Sequence, residues 1–99
     1  MGVAIDSIVS GGCIISGGRV MHSVLSPGVR VHSYCEIEHS ILLSNTTIGR
    51  YSRIRRANID SNVEIPESSV IGFDPDLDRA NGHQVTESGI VAVSGSRAG

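Results

Sequence analysis

The chain has 99 residues, a formal net charge of −2 and three aromatic side chains, Tyr34, Tyr51 and Phe73. This length suits one domain rather than two, and the slight excess of acidic residues argues against a general nucleic-acid binder. No apolar run approaches the roughly 20 residues of a membrane-spanning helix, and the first residues do not resemble a signal peptide. We therefore expect a cytoplasmic protein that binds neither nucleic acid nor membrane.

Aliphatic residues recur every 17 positions in three separate series, beginning near the start of the chain. Within one period they are separated by 6, 6 and 5 residues, which places one inward side chain on each face of a triangular coil. The series are Ile8, Leu25, Leu42 and Ile59; Ile14, Val31, Ile48 and Ile65; and Val20, Ile37, Ile54 and Ile71. The repeat predicts an all-β fold, a single-stranded parallel β-helix of about four 17-residue coils.

Small or β-branched residues follow each series at a fixed distance, where a coil turns its corner inward. They are Gly12, Val29, Thr46 and Val63; Gly18, Cys35, Ser52 and Ser69; and Ser23, Ser40 and Ala57. Charged residues flank inward ones, as Arg53 and Arg55 flank Ile54. This alternation is typical of a strand with one buried side.

Two cysteines, Cys13 and Cys35, are too few for a disulfide framework. Their spacing to each other and to the histidines matches no zinc signature, so we expect no metal site. Cys35 is expected to be a small buried side chain, and Cys13 an ordinary surface or edge thiol.

The repeat stops after Ile71. Asp74 suits the N-cap of a short helix and Pro75 its first position, and the segment 87–93 is expected to form one more strand. We expect residues 1–72 to form the coils and residues 73–99 to form a C-terminal cap segment and tail, with Phe73 covering the last rung. The first rung, around Ile8, has no comparable lid, which predicts a homo-oligomer or a covering segment from another domain.

Several segments are more specific than the repeat itself, above all Ser10-Gly11-Gly12-Cys13 and Arg53-Ile54-Arg55-Arg56. In these and in segments 63–67 and 87–91 the sequence resembles the C-terminal β-helix domain of bacterial glucose-1-phosphate adenylyltransferase (ADP-glucose pyrophosphorylase). The resemblance covers nearly the whole chain. By analogy with hexapeptide-repeat proteins it implies a left-handed coil, an exception to the usual right-handed crossover.

The resemblance also implies a role. In that family a separate nucleotidyltransferase domain makes ADP-glucose from ATP and glucose 1-phosphate, while the β-helix domain serves subunit contact and allosteric regulation. Gly11-Gly12 and Gly17-Gly18 lie at expected corners and precede no phosphate-binding helix. We therefore expect a non-catalytic regulatory and oligomerisation module of glycogen biosynthesis, without a cofactor or catalytic residues, whose catalytic domain is absent. Its expected partners are itself or a nucleotidyltransferase domain.

A basic cluster is the candidate effector or anion site. It consists of Arg50, Arg53, Arg55 and Arg56. Guanidinium groups gathered in this way suit a phosphate or carboxylate, such as a sugar-phosphate or nucleotide effector, or an acidic neighbouring subunit. The alternative is a solvated face that Glu36 and Glu38, one rung below, partly neutralise.

His22 and His39 are 17 positions apart and are expected at the same corner, below Arg56. Hexapeptide-repeat acyltransferases use a histidine as general base, but they usually carry a long loop that does not interrupt this repeat. Surface histidines are the favoured interpretation. A minimal acyltransferase and a free-standing structural or self-assembly module remain the alternative functions.

Overall fold

The aliphatic series form the inner sides of three β-sheets in the computed structural model, which describes residues 2–94. Sheet A contains β1 (Val3–Ile5), β4 (Arg19–Met21), β7 (Glu36–Glu38), β10 (Arg53–Arg55) and β13 (Val70–Ile71). Sheet B contains β2 (Ile8–Val9), β5 (Val24–Leu25), β8 (Ile41–Leu42), β11 (Ala57–Ile59), β15 (Val91–Val93) and β14 (Gln84–Val85). Sheet C contains β3 (Ile14–Ile15), β6 (Arg30–Val31), β9 (Thr47–Ile48) and β12 (Glu64–Ile65). The helix α1 (Pro75–Ala80) follows β13.

The chain visits sheets A, B and C in turn, so each coil adds one rung to each face of a triangular prism. The described strands pair in parallel, except that β14 and β15 are antiparallel. Every member of the three aliphatic series except Ile8 and Ile14 is buried inside the prism. The predicted all-β parallel β-helix of about four coils is therefore confirmed.

The first coil departs from the 17-residue period. Ile15, not Ile14, pairs with Val31, and Val9, not Ile8, pairs with Leu25. Ile8 and Ile14 are 64% and 53% exposed, so their predicted inward positions are wrong. Each is one of two adjacent aliphatic residues, and periodicity alone cannot tell which member of such a pair points inward.

The shortfall of one residue lies at the corner Gly17-Gly18. A side chain added at Gly17 would contact Ser33, whereas one added at Gly18 would contact Cys35, so Tyr34 has no counterpart in the first coil. Two residues without side chains thus make a turn for which the next coil uses three.

The same shift determines where the first cysteine lies. Cys13 is half-buried against the core in the register of Val29, the place predicted for Gly12. Its Sγ lies 3.1 Å from the carbonyl oxygen of Ser26, to which the thiol donates. Of the two expected places, surface or edge, Cys13 therefore occupies the edge: it packs partly against the core from the first rung.

The shortened first coil predicts unequal effects at two neighbouring isoleucines. Ile15→Asp should lower the free energy of unfolding by about 2 kcal/mol or more, because it places a charge against the core. Ile14→Asp, on the outer side of the same strand, should cost less than about 1 kcal/mol. Urea unfolding followed by circular dichroism measures both. Equal losses would contradict the 16-residue register between Ile15 and Val31.

The corner between sheets A and B carries a ladder of buried hydroxyl groups. The Oγ of Ser23 accepts from the backbone N–H of Ser40, and the Oγ of Ser40 accepts from the N–H of Ala57, at 3.1 and 3.2 Å. The Oγ of Ser7 begins the ladder by accepting from the N–H of Ser23. Each hydroxyl donates in turn to a carbonyl of its own coil, which also accepts from a backbone N–H of the next coil. The ladder therefore satisfies chiefly the N–H groups at this corner.

The C-terminal segment continues after β13 as the short helix α1 and the two strands β14 and β15 of sheet B. As predicted, Asp74 is the N-cap of α1 and Pro75 opens the helix. Asp78 is buried and its carboxylate accepts from the N–H of Gly72, which fastens α1 to the end of β13. Phe73 lies instead on the outer face of sheet A, against Arg53 and Arg55, so it does not cover the last rung as expected. Of the predicted cap and tail, residues 95–99 lie outside the described residues.

Sheet C ends with β12, and Pro66 follows directly after it. In the two coils below, the residues at this position are Gly49 and His32, and each donates its backbone N–H to the coil above it. Proline has no N–H, so this position cannot donate to a further coil.

Candidate functional site

The structure divides the predicted arginine cluster among three places. Arg53 and Arg55 lie side by side on the outer face of β10, and the guanidinium carbon of each is 4.7 Å from the centre of the Phe73 ring. The two cations therefore share one aromatic ring, a contact that also fixes their positions. We call these three side chains the arginine–phenylalanine surface.

Glu36 partly neutralises this surface, as the alternative interpretation of the arginines expected. Its Oε1 lies 4.0 Å from the Nε of Arg53, and both side chains are more than half exposed. Ion pairs this long and exposed contribute little to stability because water screens them. Most of the hydrogen-bonding capacity of the two guanidinium groups is therefore available to a ligand.

Arg56 and Arg50 point elsewhere. Arg56 lies at the corner between sheets A and B, where its Nη2 donates to the carbonyl oxygen of Ser88 at 2.7 Å. Arg50 lies at the corner between sheets C and A and lines a shallow groove with His32, Glu64 and Glu67. The alternation around Ile54 predicted that Arg53 and Arg55 share a face and that Arg56 lies at the next corner, but not that Arg56 turns toward Ser88.

Side chains of equivalent corners stack on one another. The rings of His22 and His39 are 5.1 Å apart and nearly parallel, as the spacing predicted, and Asp6 lies 3.8 Å from the Nδ1 of His22. A second stack, in which the ring centres of Tyr34 and Tyr51 are 5.0 Å apart, was not predicted. The same 17-residue spacing was present in the sequence and would have identified it.

Cys35 is buried, as expected. Burial raises the pKa of its thiol, although nearby backbone groups, Ser52 first, act in the opposite direction. The thiol lies 3.0 Å from the carbonyl oxygen of Gly49 and donates to it. A buried thiol of raised pKa is a poor nucleophile, so Cys35 is a structural residue.

Within residues 2–94, no three His, Cys, Asp or Glu side chains are placed together so that they could hold a metal ion. Over the same residues, no helix has the length and apolar character needed to cross a membrane.

Comparison with known proteins agrees with the coil architecture. The family model described as "GlmU-like, C-terminal hexapeptide" matches residues 1–93. The chain belongs to this family. Its fold is accordingly the left-handed β-helix of hexapeptide-repeat proteins, as the resemblance implied.

Several glucose-1-phosphate adenylyltransferases are similar to this hexapeptide chain. It is 55% identical over 94 residues to a glucose-1-phosphate adenylyltransferase of Koribacter versatilis, 53% identical over 93 residues to one of Teredinibacter turnerae, and 55% identical over 93 residues to one of Anaeromyxobacter sp.. These alignments cover 94–95% of the chain but 22% of each relative, in its C-terminal part. The resemblance noted in the sequence is confirmed, and the chain spans about a fifth of the length of the proteins that it matches.

Proposed function

We propose that this chain is the assembly and regulatory part of a glucose-1-phosphate adenylyltransferase and has no catalytic activity by itself. The observation that carries the proposal is its 50–55% identity to the C-terminal fifth of proteins of that name. The chemistry named for those relatives is assigned here to a nucleotidyltransferase domain, with which the β-helix associates.

Exposed aliphatic side chains on the first coil support an assembly role. Val3, Ile5, Ile8 and Ile14 are between 41% and 64% exposed, and they lie on all three faces of the same coil. Large apolar side chains grouped in this way favour contact with another protein surface. The first coil is also the lower edge of all three sheets, whose backbone groups can pair with a further segment.

A mixing experiment tests this role. The 99-residue chain is combined with the nucleotidyltransferase part of the Koribacter versatilis relative, produced without its C-terminal fifth. We expect light scattering after gel filtration to show a complex, and ADP-glucose formation to change several-fold on addition of the chain, which alone should form none. ADP-glucose formed by the chain alone, or a chain that stays monomeric and does not bind the nucleotidyltransferase part, would overturn the proposal.

Two variants make the mixing experiment specific. Ile5→Asp, on the first coil, should weaken the complex at least about tenfold, because it places a charge in an apolar contact. Leu77→Asp is the matched control, since Leu77 is similarly exposed, at 43% against 41%, but lies on α1 at the opposite end. Equal weakening by both variants would locate the contact elsewhere.

Within this role we propose the arginine–phenylalanine surface as the site for an anionic effector. Two fixed guanidinium groups offer the paired donors that phosphate oxygens prefer. The double variant Arg53→Ala/Arg55→Ala should weaken the binding of AMP or glucose 1-phosphate at least about tenfold in calorimetric titrations, with the melting temperature little changed. Arg30→Ala, on the outer face of β6, is the control. Unchanged binding in the double variant, or no binding of either ligand to the wild-type chain, would exclude this site.

A further inference from the structure

A groove on the other side of the corner between sheets A and B is separate from the arginine–phenylalanine surface. It has a volume of about 570 Å³ and is lined by His39, Ile41, Arg56, Asn58 and Ile90. Three of these side chains can donate hydrogen bonds, and two are aliphatic. The groove thus has a polar part and an apolar part.

The two strongest donors are held in place by the fold. Arg56 has a positive φ of 51°, and its bond to the Ser88 carbonyl directs the guanidinium toward the 86–90 turn. A guanidinium carries five N–H donors, so this single bond leaves others for a ligand. The imidazole of His39 is stacked on that of His22, one coil below, with 11° between the ring planes. Donors fixed before binding lose little conformational freedom when a ligand arrives.

The charge at this corner favours an anion. None of the five lining residues is acidic. Asp6, whose carboxylate lies beside His22, occupies the same corner column three coils below Arg56. Glu87 precedes Ser88 in the chain but does not line the groove. Arg56 therefore faces a ligand without a competing carboxylate on the groove wall.

The apolar part limits which anions fit. Ile41, on the outer face of β8, and Ile90, just before β15, are 41% and 36% exposed and form the aliphatic walls. An inorganic ion would leave both walls in contact with water, whereas a ligand with a ring or a short apolar chain would cover them.

We propose that this groove binds an oxyanion, a phosphate monoester or a carboxylate, that is attached to a flat or apolar group. Arg56 and His39 bind the anionic oxygens, Asn58 supplies a further amide, and the two isoleucines pack on the apolar group. The proposal does not depend on the assembly role, because it concerns a surface that the 99-residue chain carries by itself.

NMR titration of the ¹⁵N-labelled chain tests the groove with four probes: phenyl phosphate, benzoate, inorganic phosphate and phenol. We expect saturable shifts of the amides of Ile41, Arg56, Asn58 and Ile90 with phenyl phosphate or benzoate. Inorganic phosphate and phenol should bind at least about tenfold more weakly, because each supplies half of the contacts. Binding of phenyl phosphate alone would identify the ligand as a phosphate ester, and equal binding of benzoate would extend the class to carboxylates.

The variants use asparagine, which tolerates the left-handed backbone of these corners. Arg56→Asn should weaken phenyl phosphate or benzoate binding at least about tenfold, since a charge-assisted hydrogen bond is lost, and Arg56→Lys should restore part of the affinity. His39→Asn should weaken it about threefold while keeping the Arg56–Ser88 bond. His32→Asn is the control, because it makes the same change at a histidine that lies outside this groove and its stack.

The proposal is overturned if neither aromatic anion gives saturable shifts up to about 20 mM, which corresponds to very weak binding. It is also overturned if His39→Asn and Arg56→Asn bind as the wild type does, or if the shifts follow Arg53 and Arg55 instead. Complex formation with a nucleotidyltransferase domain can succeed or fail independently of these results, so the two proposals are distinguishable.

Discussion

Replacement of Ile48 by aspartate is expected to abolish cooperative folding. Ile48 is fully buried in sheet C, between Val31 of the coil below and Ile65 of the coil above. An unpaired carboxylate in such an interior costs more than the roughly 5–15 kcal/mol that stabilises a typical domain, or it must take up a proton. Circular dichroism should show no sigmoidal thermal transition.

Thr47→Asp is the control for this change. Thr47 is the neighbour of Ile48 on the same strand and pairs with Arg30 and Glu64, whose side chains point away from the core. The added carboxylate stays in water, so the transition should remain cooperative, with a shift of about 1 kcal/mol or less. A normal melt of the Ile48 variant would contradict the inward register of sheet C.

Ser40→Ala is expected to lower the free energy of unfolding by about 1–3 kcal/mol, although it removes a single oxygen atom. The Ser40 hydroxyl donates to the carbonyl of Glu38 at 2.8 Å and accepts from the N–H of Ala57 at 3.2 Å. The Glu38 carbonyl also accepts from the N–H of Arg56, so the N–H of Ala57 is the group that loses its partner. Ser40 is 1% exposed, so water cannot easily replace its hydroxyl, and an N–H left without a partner costs about 1–3 kcal/mol.

Urea unfolding measures the Ser40 effect, with Ser16→Ala as the control. Ser16 is exposed, and its replacement should change the free energy of unfolding by less than about 0.5 kcal/mol. If Ser40→Ala is equally neutral, the hydroxyl ladder does not contribute to stability. In that case the corner between sheets A and B is held by its backbone bonds alone.

The interior of the prism could be predicted from the sequence because each coil repeats the same contacts. Ile37 and Ile54 are buried for the same reason, and each is flanked on both sides by charged residues, so no second aliphatic residue competes for the inward position. In the first coil, Ile14-Ile15 offered two candidates for one inward position. The choice depended on a corner one residue shorter, which the spacing of apolar residues does not encode.

The candidate sites were predictable only in part. Arg53 and Arg55 lie on one face because they alternate with a buried residue, and the sequence indicated this correctly. Arg56 lies only one residue further along, but the corner turns it toward Ser88, a residue 32 positions later in the chain. The position of Phe73 likewise depends on how the segment after β13 folds back onto sheet A. Contacts made by residues 72–94, which follow β13, have no 17-residue period, so the repeat gives no information about them.

Pro66 has a consequence for how such a solenoid can polymerise. The exposed backbone groups of a terminal coil can pair with the coil of another chain. Head-to-tail addition of identical chains would therefore produce a fibre of unlimited length. At the β12 end, the N–H that Gly49 supplies in the coil below is missing. Growth in that direction loses a hydrogen bond at its first step. Association through the β1–β3 end alone instead gives closed pairs of fixed size, so a chain built from repeats can form assemblies of defined stoichiometry.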